Sequence, residues 1–312
     1  MRAFAVEKYG DAAGIVDLPI PEAENEYLIR VTYAGVNPID YKMVDRLKPD
    51  SKFPYILGAD FAGVVEKAPI GIGFFQPGEY VFGMARSHGA YAEYTSVPTN
   101  DPSQPIARIS DELTDQQAAA LPIPAITALG SVDWLKVSQG QSLIIFGATG
   151  AVGGYAVQIA RAAGAKVIAI VRGDEEEARA LGAHEVYNSG DKNLVGLVRE
   201  TYPDGVDAIL DLVNGPDKIL SDIELIKENG RLVSTIYAAD EHWFTEQHVT
   251  AHNIAGQTNP FSTVDGLIEV GRLLINGTIT TRIQVVADLN TAGETLEKLK
   301  TGGIHGKVLL KV

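Results

Sequence analysis

The 312-residue chain contains no cysteine. A disulfide framework is therefore excluded, and with it any catalytic thiolate and any metal site built on thiolate ligands. Positive charge is scarce as well: 26 lysines and arginines face 40 aspartates and glutamates, for a formal net charge of −14. A surface that negative repels phosphate backbones and anionic headgroups, so neither nucleic acid nor a membrane surface is expected as a partner. Long apolar runs are missing too. The most apolar stretches, 118–132 and 143–171, are interrupted by proline, by glycine clusters or by Arg161 and Lys166, and neither reads as a membrane span. The opening ten residues mix Arg2, Glu7 and Lys8 with apolar side chains and hold no signal-type apolar core, so a cytoplasmic location is expected.

What is present is enough for two compact units, since 46% of the residues are hydrophobic. Up to about residue 100 the chain reads as short β segments at 3–7, 26–33, 63–67, 80–83 and 90–97, with turn chemistry at Asn37-Pro38, Gly71 to Gly73 and Pro77-Gly78. Helical signals follow, a capped start over 111–121 that ends at Pro122 and a second helix over 127–135. Strands at 143–146, 166–171, 185–187, 208–212 and 231–237 then alternate with helices at 155–163, 175–181, 193–201 and 219–227. Such alternation predicts a parallel sheet covered on both faces. A helix at 264–275, an extended piece at 283–286, a helix at 291–300 and a strand at 307–312 complete the chain. A tail that short cannot bury a core alone and is expected to return to the first unit.

The most informative motif is Phe146 followed by Gly147, Ala148, Thr149, Gly150, Ala151, Val152, Gly153 and Gly154, set between a strand and a helix. Small residues let the backbone turn sharply and approach a pyrophosphate, whose charge the helix N–H groups and dipole then stabilise. The alternative is a loop that is glycine-rich only for close packing. At the end of the second strand of this series stands Arg172, with no carboxylate in place to accept ribose hydroxyls. A guanidinium there suits the 2′-phosphate of NADPH. The other reading of Arg172 is an exposed side chain paired with the acidic run 174–177.

Taken with Gly35-Val-Asn-Pro-Ile-Asp-Tyr-Lys42, Gly58-Ala-Asp-Phe-Ala-Gly63, Gly78-Glu-Tyr-Val-Phe-Gly83, Gly89-Ala-Tyr-Ala-Glu-Tyr94, the stretch 118–127 and Gly306-Lys-Val-Leu-Leu310, the chain resembles the medium-chain dehydrogenase/reductase superfamily, in its quinone oxidoreductase and enone reductase branch. The resemblance implies an α/β protein: a Rossmann-type doubly wound parallel sheet over 124–262, and a GroES-like β-rich catalytic domain made of 1–123 plus 263–312. It also implies where the zinc of the alcohol dehydrogenases would have bound. The ligand positions match Asn37, Ala59 beside Asp60, and a residue near Ile123, and these side chains cannot build a zinc site. The hydroxyl and histidine of the zinc enzymes' proton relay match Ile39 and Lys42. None of the six histidines, His88, His184, His242, His248, His252 and His305, pairs at a zinc-type spacing, and each is expected to be a surface or structural residue. Without metal or relay, reduction of an electron-poor quinone or enone is expected in place of alcohol oxidation.

By the same resemblance Asn37 orients the carboxamide of the cofactor or the acceptor, and Tyr41 or Lys42 donates to the acceptor oxygen. The alternative is that Asn37-Pro38 only builds a turn and Lys42 is solvated. Asp40 and Asp60 would steady that turn. Thr127 is placed beside the nicotinamide, and Ser189 where relatives carry a tyrosine reaching the 2′-phosphate, a contact that serine shortens or loses; by topology alone Val213 and Ile236 are expected near the ribose and carboxamide. Lys307 either approaches the cofactor or pairs on the surface. A homodimer is expected through an edge near 252–257. Two other functions fit the same glycine loop: an NADPH-binding sensor or crystallin-like protein with little turnover, and an atypical alcohol dehydrogenase.

Overall fold

The computed structural model describes residues 1–312 except 72, 86–88, 100, 257 and 303. His88 and Gln257, which figured in the expectations above, lie outside the described residues. The chain divides into two compact units, one made of Met1–Pro124, Ser262–Ile275 and Thr281–Val312, the other of Ala125–Phe261 and Asn276–Thr280. The piece Asn276–Thr280, grouped above with the first unit, belongs to the second.

The first unit opens with β1 (Arg2–Val6), β2 (Gly14–Asp17), β3 (Glu26–Val36), α1 (Pro38–Val44), β4 (Tyr55–Ile56), β5 (Asp60–Lys67), β6 (Tyr80–Met84), β7 (Tyr94–Pro98) and β8 (Ile106–Arg108). Helix α2 (Asp115–Ala119) follows, held at its start by Thr114, which accepts from the N–H of Gln117. Helix α3 (Pro122–Leu135) then begins on the proline that had been expected to end the helix before it. Proline costs nothing at a first helical position, where the missing N–H would have had no partner.

The second unit contains β9 (Ser142–Phe146), α4 (Ala151–Ala162), β10 (Lys166–Val171), α5 (Glu175–Ala180), β11 (Glu185–Asn188), α6 (Leu194–Thr201), β12 (Val206–Asp211), α7 (Pro216–Ile219), β13 (Ile226–Ser234), α8 (Glu241–Glu246) and β14 (Thr250–Asn253). Its parallel sheet runs in the order β11-β10-β9-β12-β13-β14, so chain direction across the sheet reverses between β9 and β12. Every residue of β9 is buried, as a strand covered by helices on both faces requires. Helix α4 turns Gly153, Ala156, Val157 and Ala160 inward at helical spacing. It stops where Ala165 donates back to Ala160 O and Gly164 takes a left-handed φ of 85°.

The helix expected over 219–227 is corrected. The chain makes only the four residues of α7 and a 3-10 turn at Leu220–Glu224 before entering β13, where Ile226 pairs with Val206. Ile219, Leu225 and Ile226 are buried in either conformation, and so short an apolar run does not distinguish them.

The tail supplies α9 (Val264–Ile275), β15 (Ile283–Asp288), α10 (Ala292–Thr301) and β16 (Lys307–Lys311). Strand β16 joins β3 antiparallel, extending the first unit's larger sheet, β15-β16-β3-β5-β6-β8, with β7 also on β3. Phe4, Ile29, Val31, Phe61, Val81, Val308 and Leu310 share the core. Each such side chain contributes roughly 1.5–3 kcal/mol through burial. Among the described residues, no helix is long and apolar enough to cross a membrane.

Candidate functional site

In the second unit the glycine turn leaves β9 at the point where strand order reverses, the place at which open α/β sheets take ligands. Gly147 has φ 78°, and a Cβ on it would stand 2.8 Å from Val213 Cγ1. A Cβ on Gly153 would lie 2.2 Å from Gly147 O and 2.7 Å from Ala148 Cα, so only glycine permits the first turn of α4 to come this near the loop. Gly150 is the N-cap and has no side chain to offer. The first-turn N–H groups of α4 have no carbonyl of their own helix to bond, an arrangement suited to an anion.

Arg172 and Ser189 follow the paired strand ends Val171 and Asn188, so they are neighbours at one edge of the sheet's carboxyl side. The Ser189 N–H donates to Val171 O at 2.7 Å. Arg172 is exposed, and among the described residues no carboxylate pairs with it. The acidic run beside it is therefore not its partner.

The loop after β12 is held by Asp211, a buried carboxylate that sequence reasoning missed. Its Oδ1 accepts from Val213 N at 2.9 Å and Asn214 N at 2.8 Å, and its Oδ2 accepts from Asn214 Nδ2 at 2.6 Å. These bonds set Val213 over Gly147. Asp222 is buried beside it, and burial together with the Asp211 carboxylate pushes its carboxyl up to about 9. An aspartate closing the apolar strand 206–211 was the one signal available. Ile236 follows β13, and Thr127 lies on α3 with its carbonyl accepting from Ser131 Oγ. A cavity of about 450 Å³ lined by Lys136, Gln141, Asp207, Lys227 and Arg231 opens at the opposite ends of the strands, away from the glycine turn.

The first unit holds a second polar centre, closed to solvent. Gly35 stands opposite both Asp60 on β5 and Leu309 on β16, so the ends of three strands converge there. Lys307 is 1% exposed, and its ammonium donates to Asn37 Oδ1 at 2.6 Å, Asp60 Oδ2 at 3.2 Å and Val36 O at 3.2 Å. All three of its hydrogens are thereby used. Surface pairing, one of the two readings of Lys307, is ruled out by this burial. Asn37 Nδ2 donates to Asp60 Oδ2 at 2.8 Å, and Asp60 Oδ1 accepts from Ile123 N at 3.1 Å. Burial raises the Asp60 carboxyl and lowers the Lys307 ammonium, while their mutual attraction opposes both changes.

Asn37 caps α1, and its N–H donates to Asp40 Oδ2 at 2.8 Å. The Tyr91 hydroxyl donates to the same oxygen at 2.7 Å. Tyr91 was not singled out in advance; its ring fits because Gly58, at φ 82°, has no Cβ to strike it. Burial pushes Asp40 up to about 7, against the pull of Tyr91 and the Asn37 N–H. Of the three catalytic candidates, Asn37 is thus turned into the network and 3% exposed, whereas Tyr41 and Lys42 are half-buried on α1. Burial, with Asp45 nearby, raises the Tyr41 hydroxyl.

Two family descriptions match the chain, an alcohol dehydrogenase GroES-like domain at residues 23–106 and a zinc-binding dehydrogenase at residues 151–265. The quinone oxidoreductase of Sus scrofa is 33% identical over 245 residues, spanning 75% of this chain and 72% of that protein. The mitochondrial NAD(P)H oxidoreductase RTN4IP1 of Mus musculus is 34% identical over 214 residues, 60% of this chain and 53% of that protein. Among solved structures, the quinone oxidoreductase from Coxiella burnetii superposes with a TM-score of 0.88 at 30% identity, covering 100% of this chain and 99% of that one. The zinc implied by the second description does not fit the side chains present. An ammonium already bonds Asn37 and Asp60, and among the described residues no three His, Asp or Glu side chains group as metal ligands.

Proposed function

Since the chain belongs to the medium-chain dehydrogenase/reductase superfamily, as a quinone oxidoreductase-like member, we propose that it is a zinc-free, NADPH-dependent oxidoreductase acting on quinones or α,β-unsaturated carbonyls. The observation that carries the reading is Arg172, exposed and free of carboxylate partners among the described residues, beside Ser189 at the sheet edge that leads from the glycine turn. The turn itself is a cradle that a Cβ at Gly153 would fill.

Bound NADPH supplies a hydride. The amides of residues 147–153 would hold the pyrophosphate, Arg172 with Ser189 beside it would hold the 2′-phosphate, Val213 and Ile236 would border the ribose and carboxamide, and Thr127 would lie by the ring. Tyr41 or Lys42 donates a hydrogen bond to the acceptor oxygen as negative charge develops on it, and water supplies the proton. Asn37, with its side chain committed to Lys307 and Asp60, anchors the start of α1 and does not touch the acceptor. The edge strand β14, bonded to β13, is the place through which two copies would pair.

Oxidation of NADPH and NADH with a panel of small quinones and enones tests the function. Arg172→Ala is expected to raise the Michaelis constant for NADPH about 10–100-fold, the worth of a charge-assisted hydrogen bond, and to leave that for NADH nearly unchanged. Equal effects on both would refute the cofactor assignment, and binding without consumption would refute the activity.

A further inference from the structure

The buried lysine of the first unit has no part in the chemistry above, and burying an ammonium is costly unless its hydrogens are matched. Here they are matched by the carbonyl of Val36, the amide oxygen of Asn37 and the carboxylate of Asp60. Val36 and Asn37 are the two residues that immediately precede α1. The fit is specific to this backbone: a Cβ on Gly35 would come within 3.0 Å of Lys307 Cε and 2.9 Å of Asp60 Cβ, so an alanine there would crowd the lysine stem and the carboxylate together. Asp60 in turn receives Ile123 N, which ties the start of α3 to the same ammonium. The other titratable groups at the centre are Asp40, which accepts from the Asn37 N–H, and Tyr91, which donates to Asp40.

Asn37 and the surroundings of Ala59 and Ile123 match the ligand positions of the zinc enzymes, and here a side-chain cation stands among them. We infer that Lys307 is a positioning residue: its buried ammonium, through its three hydrogen bonds, fixes Val36 and Asn37, and through them the setting of α1, which carries Tyr41 and Lys42. Asn37 can accept from Lys307 and donate to Asp60 in only one orientation of its amide, so loss of the charge frees that amide to turn. Helix α1 has only seven residues and depends on such anchoring for its direction. The inference rests on the proposed function for its effect on turnover, but its structural half can be read without any substrate.

Lys307→Met keeps the length of the side chain and removes the charge. The expected result is a fall in kcat of about tenfold or more, with the Michaelis constant for NADPH within about twofold of the parent. In Lys307→Ala, propylammonium is expected to restore part of kcat, while 1-propanol, similar in size and uncharged, restores none. A purely space-filling role would be served equally by methionine or by the alcohol, and either result would overturn the inference. Should Lys307→Met not fold, Lys307→Met with Asp60→Asn removes both buried charges and is expected to fold with the same loss of kcat; a double variant with parental kcat would refute the idea. Hydrogen exchange on the substrate-free protein separates the two readings. Amides of residues 38–44 are expected to exchange at least about tenfold faster in Lys307→Met, with those of β9 unchanged. Unchanged exchange in α1 overturns the inference even if the enzyme is active. An inactive parent enzyme whose Lys307→Met variant still shows the faster exchange would instead sink the proposed activity alone.

Discussion

Each unit buries a carboxyl group beside the end of a central strand, and the two neutralise it by different means. In the first, Asp60 faces an ammonium brought by β16. In the second, Asp222 faces another carboxylate, Asp211, whose oxygens are already taken by Val213, Asn214 N and the Asn214 amide. Burial, together with the neighbouring Asp211 carboxylate, raises the Asp222 carboxyl to about 9, so it is neutralised by keeping a proton. Asp40 is the intermediate case. It touches Tyr91 and the Asn37 N–H, with Lys307 near but not bonded to it, and it rises to about 7. The lysine ties distant segments through its hydrogen bonds to Val36, Asn37 and Asp60. A retained proton neutralises its carboxyl only while the pH stays below the raised value.

That contrast can be broken from either side. Asp40 gains a proton on folding, so its stabilising contribution is complete below the ordinary carboxylate range near 4 and is lost as pH rises to about 7. Asp40→Asn should remove this dependence. The stability of the variant minus that of the parent, from urea unfolding at a series of pH values, should increase between pH 4 and 7 by at most about 4 kcal/mol and then level off. A flat difference would show that Asp40 is ionised in the folded protein. Gly153→Ala tests the second unit on steric rather than electrostatic grounds, because the new methyl would meet backbone atoms at 2.2 and 2.7 Å that cannot swing aside. It should destabilise by about 3 kcal/mol and abolish measurable NADPH binding in a fluorescence titration, with the first unit's exchange protection unaltered. Asp222→Asn probes the buried carboxyl of the second unit in the same way as Asp40→Asn probes the first. The parent loses stability between pH 4 and about 9 as the unfolded chain ionises and the folded one does not. Between pH 4 and pH 8 the stability of the amide variant minus that of the parent should rise by at most about 5 kcal/mol; a difference that stays flat would mean that Asp222 is charged in the folded protein.

Much of the second unit was legible before its structure. Strand and helix alternation from 143 onward reappears as β9 through β13, and the glycine turn stands where a strand meets a helix. These features are local: a period of two or of 3.6 residues and a run of small residues bring about their own conformation within a few positions. The failures were local as well. The expected helix at 219–227 rested on apolar residues that both a strand and a helix would bury, and β14 and α8 lie in a polar stretch with little periodicity.

The site divides along the same line. Residues 147–153 could be picked out from sequence because a run of small residues between a strand and a helix shapes its own backbone, and Asp40 and Asp60 could be suspected from the motifs around them. Tyr91 on Asp40 and Lys307 on Asn37 could not, because the partners lie 51 and 270 residues apart. By itself the amino-acid sequence determined the layered sheet, the glycine turn and the absence of any thiolate site, since composition and short-range spacing suffice for these. Which buried charge receives a lysine and which must keep a proton was decided only by tertiary structure. That choice depends on which strands become neighbours, and on the space left where Gly35 and Gly58 carry no Cβ.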